Sequence, residues 1–156
     1  MKNTTRDTAG VIAPPPLIYA LALGLALLLH QRVPLPVVPR KIKNLLGGIL
    51  IGGAIVPAFL ALRGMRNAGT NVNPTQPTTT LILEGPYRFT RNPIYLSMTA
   101  LYMGIALLAN TLWPILLLPG VLFVMTRGVI KREEAYLEQK FGEQYVAYKE
   151  NVRRWI

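Results

Sequence analysis

Hydrophobic positions along this chain fall into long charge-free runs, and the Lys and Arg residues gather between them. Ala9 to Leu29 carries no charge, and its Leu- and Ala-rich part follows Pro14-Pro15-Pro16, a sequence that can begin a helix but cannot sit inside one. After the basic, Pro-broken loop Arg32 to Lys43, the run Asn44 to Leu62 holds 19 uncharged residues, close to the roughly 20 needed to cross about 30 Å of hydrocarbon. Asn92 to Thr126 is 35 residues without a charge. As one helix it would measure about 52 Å at roughly 1.5 Å per residue, far more than the hydrocarbon thickness. It must fold back, and Asn110-Thr111, with Trp113-Pro114 just beyond, marks the turn. The pattern predicts an all-α integral membrane protein of about four transmembrane helices, the last two forming a hairpin.

The flanks orient that hairpin. Arg88 and Arg91 precede it, Arg127, Lys131 and Arg132 follow it, and its tip is uncharged, so both flanks are expected in the cytoplasm. The first loop runs against this trend, because four spans place Arg32, Arg40, Lys41 and Lys43 on the outer side. Gly48 and Gly52 form a Gly-x-x-x-Gly pair that admits a close helix, either a neighbour in the same chain or a second copy in a homodimer. Phe141, Tyr145, Tyr148, Val152 and Trp155 recur at helical spacing beside Lys149, Arg153 and Arg154. They predict an amphipathic helical tail lying on the cytoplasmic membrane surface, with packing against the spans as the other use of that face.

Composition agrees, since 51% of residues are hydrophobic and 15% charged, a low charged share for a soluble domain. The net charge of +10 flanks apolar runs rather than forming a basic soluble surface, which points to lipid headgroups as partners and away from nucleic acid. No Cys is present, which excludes disulfides, zinc–thiolate sites and thiol catalysis. His30 is the sole histidine and ends the first apolar run. One imidazole builds neither a His-rich metal site nor a Ser-His-Asp arrangement, and no metal is expected. Val11 to Leu29 is long for a signal-peptide core and Gln31-Arg32-Val33-Pro34 is not a small-residue cleavage site, so the N-terminus is expected to be retained.

Two segments carry candidate chemistry. Glu84 to Tyr95 is turn-rich, Arg-bearing and aromatic. Gly85-Pro86 marks a turn, and Asn92-Pro93 marks a helix start with Asn as cap and backbone N–H groups open to a polar ligand. Glu133-Glu134 follow the last span, where charge pattern alone describes a solvated, salt-bridged helix start. The hairpin brings its two ends to one membrane face, and that convergence argues for a site.

Gly85-Pro86-Tyr87-Arg88-Phe89-Thr90-Arg91-Asn92-Pro93-Ile94-Tyr95, a helical hairpin, then Arg132-Glu133-Glu134-Ala135-Tyr136-Leu137 and Phe141-Gly142-Glu143-Gln144-Tyr145-Val146-Ala147-Tyr148 together resemble the isoprenylcysteine carboxyl methyltransferase family and its phospholipid methyltransferase relatives. The resemblance covers about Thr79 to Trp155. It implies one structural domain in which residues 1–78 supply N-terminal spans and basic loops, and residues 79–156 form the methyltransferase core. That core would hold S-adenosyl-L-methionine between the hairpin and the cytoplasmic C-terminal segment, with a lipophilic or small amphiphilic acceptor arriving from the lipid. By matching position Tyr87, Asn92, Pro93, Ile94 and Tyr95 would contact the cofactor, Glu133 would accept its hydrogen bonds, and Thr79, Leu81 and Ile82 would line the same pocket.

Two departures stand out. The family motif commonly has His before the Pro, whereas Asn92 cannot become a cation or serve as a comparable base. Eukaryotic members place an Arg near the acidic pair to meet a substrate carboxylate, and Val129 matches that position, which argues against a prenylated cysteine as acceptor.

Methyl transfer from a sulfonium is an in-line displacement with a good leaving group already supplied, so the protein chiefly positions donor and acceptor and excludes water. No nucleophilic side chain is required and none is assigned. Tyr95, Glu134, Arg127 and Arg132 are the polar groups close enough in sequence to assist transfer to a carboxylate, thiol or amine. The rival reading is a non-enzymatic membrane protein, a transporter subunit or assembly factor whose basic loops bind lipid. It is disfavoured because no acidic or basic residue lies within a span, where ion and substrate pathways commonly place one.

Overall fold

The structure is a computed structural model and describes residues 7–156. Among these residues it is all-helical, without a strand. Helix α1 spans Pro15–Arg32 and α2 spans Arg40–Asn67; after a long loop and a 3-10 turn at Gly85–Arg88 come α3 (Pro93–Leu108) and α4 (Trp113–Met125). A wider π turn, Thr126–Ile130, carries α4 into α5 (Lys131–Phe141), and α6 (Glu143–Asn151) completes the order.

The long apolar run folds back where the sequence predicts. Asn110 takes the left-handed backbone conformation at φ 52°, which Asn tolerates better than most residues. Its Oδ1 accepts the N–H groups of Val37 and Val38, both at 3.0 Å. Leu112 N–H reaches Leu35 O at 2.8 Å and Trp113 Nε1 reaches Val33 O at 2.8 Å. The α1–α2 loop therefore sits at the hairpin tip, at the opposite end of the bundle from Arg88.

Two helices are long and apolar enough to cross a membrane, Arg40–Asn67 and the continuous Trp113–Phe141. The second, with 29 residues, is about 43 Å long, so its charged Lys131–Phe141 end projects beyond the hydrocarbon. Helix α1 has 18 residues and α3 has 16. Leu21, Leu28, Leu45, Ile49, Ile55, Val56 and Phe59 all stand exposed on α1 and α2. An apolar surface of that extent needs lipid as its solvent, and the protein is a membrane protein.

Inside the bundle, α2 packs most extensively on α3. A Cβ on Gly104 would lie 2.6 Å from Ile51 Cγ1, and one on Gly47 would lie 2.7 Å from the Leu108 side chain, so this crossing depends on small residues. Gly48 and Gly52 are not its basis: a Cβ on either meets nothing within 4 Å. The Gly-x-x-x-Gly pair faces away from the chain's own helices because Gly47, one residue earlier, occupies the contact. Tyr19, Tyr102, Val121, Met125 and Val129 form the central cluster, with Tyr19 hydroxyl bonded to Thr99 at 2.8 Å.

The tail differs from the expected single amphipathic helix. Gly142, at φ 54°, breaks α5 from α6, and Val152 to Trp155 lie beyond α6. Tyr145 and Tyr148 are buried against the protein, so the stripe read as membrane-facing is divided, and its central rings serve packing.

Candidate functional site

At the base of the hairpin, helix ends and loops enclose a cavity of about 430 Å³. Asn92, Pro93, Ile94 and Tyr95 form one wall at the start of α3. The amides of Ile94 and Tyr95 precede the first bond of that helix, Leu96 N–H to Asn92 O at 2.9 Å, and helix-start donors of this kind suit a polar ligand. Glu133 and Glu134 face them from α5. The two halves of the sequence motif meet directly, with Tyr95 hydroxyl donating to Glu133 Oε1 at 2.6 Å. Tyr87, carried in by the 3-10 turn, and Tyr145 and Tyr148 from α6 add aromatic surface, and Tyr148 hydroxyl donates to Tyr87 O at 2.7 Å.

Desolvation in this wall pushes the Glu133 carboxyl up to about 7; the Tyr95 hydrogen bond opposes the shift and the neighbouring Glu134 charge adds to it. The Tyr87 and Tyr148 phenols are likewise raised by desolvation, and Tyr145 is pushed up to about 12. All three remain neutral donors at physiological pH.

The remaining walls come from segments with no helical pattern. The loop after α2 is shaped by buried Thr70, whose Oγ1 accepts Thr79 N–H at 3.0 Å. Thr78 N–H reaches Tyr136 hydroxyl on α5 at 3.1 Å. Leu81 and Ile82 line the cavity, as do Thr78 and Thr80. Thr79 lies between them with its hydroxyl turned to Gly69 O at 3.0 Å, outside the lining. The segment preceding α1 crosses the π turn, where Ile12 N–H donates to Gly128 O at 3.1 Å and the Ile12 side chain fills the space that a side chain on residue 128 would need. This strap brings Pro14, Pro15 and Pro16 into the apolar side of the cavity, beside Met65 and Met98.

Of the polar groups considered for assisting chemistry, Tyr95 and Glu134 line the cavity. Arg127 and Arg132 do not: Arg127 lies over the Phe123 ring at 5.8 Å, and Arg132 Nη1 donates to Gly10 O at 2.8 Å. Asn92 precedes α3 as expected, yet its side chain makes no cap bond. Its Nδ2 donates instead to Arg154 O at 2.9 Å, and Thr90 Oγ1 donates to the same carbonyl at 3.1 Å. Arg91 N–H bonds Arg153 O at 3.0 Å, so the C-terminal tail is laced onto the motif. Sequence reasoning missed Arg91, Arg154, the Thr70 loop and the strap. Only the Arg91-Asn92-Pro93 run carried a local signal.

These features define a helical membrane protein with a cavity at the polar end of its hairpin. The phospholipid methyltransferase family profile matches residues 42–144, from α2 into the second half of the motif, and the chain belongs to that family. It is also 46% identical over 55 residues, 32% of this chain and 87% of the other, to an uncharacterized protein of Haemophilus influenzae. No solved structure matches.

Proposed function

We propose that this protein transfers a methyl group from S-adenosylmethionine to a lipophilic or amphiphilic acceptor at the cytoplasmic end of a four-span bundle. The observation that carries the reading is the convergence of both motif halves on one cavity, through the Tyr95–Glu133 contact. The lining suits the cofactor by its chemistry: carboxylates for hydroxyl and cationic groups, tyrosine rings for a flat heterocycle, helix-start amides for polar atoms, and a volume of about 430 Å³ within the usual range of ligand sites. When bound, the cofactor supplies an electrophilic methyl on a sulfonium leaving group. The chain's part is to hold donor and acceptor in line and to keep water out, which Pro14 to Pro16, Ile94 and Met98 serve on the apolar side. Family membership favours this over a non-catalytic membrane subunit.

Detergent-purified protein is expected to bind S-adenosylmethionine saturably, with competition by S-adenosylhomocysteine in equilibrium dialysis. Absence of binding would overturn the proposal. The orientation has its own check. Single cysteines at Arg88 and Glu150 are expected to react with an impermeant thiol reagent from the cytoplasmic side, and one at Lys41 from the opposite side; Arg88 and Lys41 labelling together would refute the four-span arrangement.

A further inference from the structure

The Arg91 side chain is only 10% exposed and lines the cavity. Its Nε and Nη1 are buried, and neither has a hydrogen-bond partner among the described residues. The nearest carboxylate is Glu134, whose Oε1 lies 3.2 Å from Arg91 Nη1 as an ion pair. Arg154 has taken both oxygens of that carboxylate, with Nε at 2.8 Å from Oε1 and Nη2 at 2.7 Å from Oε2. Glu133, the other acidic group of the lining, is engaged by Tyr95, and the Tyr145 and Tyr148 hydroxyls are further polar neighbours of Arg91. Two guanidiniums thus share one carboxylate, and the inner one, a lining residue of the cavity, keeps two buried nitrogens without a hydrogen-bond partner.

A buried guanidinium with unmet donors is costly unless a ligand meets them, and its fork matches a carboxylate or phosphate better than any neutral group. We infer that Arg91 receives an anionic oxygen group of a bound ligand, and that Arg154 is the positioning residue that keeps Glu134 from quenching it. The inference rests on the methyltransferase reading for the identity of the ligands. Two sources share the required chemistry, the amino-acid carboxylate of the cofactor and an anionic headgroup on the acceptor. The tail bonds from Thr90, Arg91 and Asn92 hold the Arg153–Arg154 backbone in place, so the Arg154 guanidinium meets Glu134 at a fixed point.

The test measures two ratios in detergent. One is the affinity for S-adenosylmethionine over its decarboxylated analogue. The other is the directly measured affinity for an alkyl phosphate over an alkyl alcohol of equal chain length. In Arg91→Gln, one ratio is expected to fall about ten- to a hundredfold, and which one falls identifies the source; Arg91→Lys should retain part of it. Arg154→Gln is expected to lower the same ratio, and Arg154→Gln combined with Glu134→Gln to restore it, which a merely structural role for Arg154 would not produce. Wild-type ratios in Arg91→Gln would overturn the anion site, and failure of the double variant to recover would overturn the role of Arg154. If wild-type protein bound no S-adenosylmethionine, the proposed function would fall while the phosphate ratio still decided Arg91.

Discussion

Glu133→Gln is expected to lower S-adenosylmethionine affinity about ten- to a hundredfold while leaving the fold intact, corresponding to roughly 1.5 to 3 kcal/mol for a lost charge-assisted hydrogen bond. The amide keeps an oxygen to accept from Tyr95, so the 2.6 Å contact between α3 and α5 has a neutral substitute. What disappears is the charge facing a cationic ligand. The pH dependence separates these effects. With its carboxyl pushed up to about 7, Glu133 is protonated below that pH in the ligand-free protein, and a sulfonium ligand favours the ionised form. Affinity should therefore fall with decreasing pH below about 7, approaching tenfold per unit, and level off above it. In the Gln variant that slope should be absent. In the ligand-free protein the linkage to stability has its own sign: a raised folded-state value gives stability that is complete below the ordinary carboxyl value of 4.5 and is lost as pH rises through about 7. Titration calorimetry between pH 5.5 and 8.5 on both proteins checks the binding prediction, and equal affinities with equal slopes would remove Glu133 from the cofactor site.

Catalytic efficiency in an acceptor series sharing one headgroup is expected to rise with alkyl or prenyl length until the groove is filled. The slope should stay well below the about fourfold per methylene of water-to-apolar transfer, roughly 0.8 kcal/mol per CH₂, because a chain passing from lipid into the groove exchanges one apolar surrounding for another and gains only closer packing. The cavity motivates this through the two kinds of residue that line it. Arg91, Glu133 and Glu134 are charged, whereas Pro14 to Pro16, Met65, Ile94 and Met98 are apolar. Leu17, directly after the prolines, is exposed on α1, so that part of the lining adjoins an apolar outer surface. An apolar lining desolvates a hydrated acceptor at a cost but accepts a chain already dissolved in lipid. Acceptors must be presented in bilayers at matched surface concentration, because partitioning alone would otherwise imitate the trend. Met98→Trp should shorten the best chain by filling the groove. Equal efficiency for short water-soluble and long acceptors would direct the search for the substrate to the cytosol.

Part of this site is legible residue by residue. Asn92-Pro93 announces a helix start because Pro fits the first turn and its missing N–H is unused there, and α3 does begin at Pro93. The Asn92 side chain is different. Local rules assign it to the cap, but the Arg154 carbonyl, far along the chain, holds it instead. Glu133 shows the same limit. By charge pattern it belongs to an exposed helix start, and only its resemblance to a family motif marked it for binding. Its direction depends on the π turn at Thr126–Ile130, since one extra residue in a turn rotates everything downstream by roughly 100°.

The sequence by itself determined the membrane character, the helical class and the fold-back at Asn110. Each follows from short-range physics: charges cannot sit in hydrocarbon, backbone groups there must bond internally, and a run far longer than one crossing requires must turn. Tertiary structure alone decided which small residues let helices touch, selecting Gly47 and Gly104 over Gly48 and Gly52. It also decided that Tyr145 and Tyr148 face inward, and that the segment before α1, the Thr70 loop and the C-terminal tail close one cavity. Those outcomes depend on rotation between helices and on bonds between distant segments, such as Arg91 N–H to Arg153 O. No local periodicity encodes them, because a helix face is defined only relative to the partner that covers it.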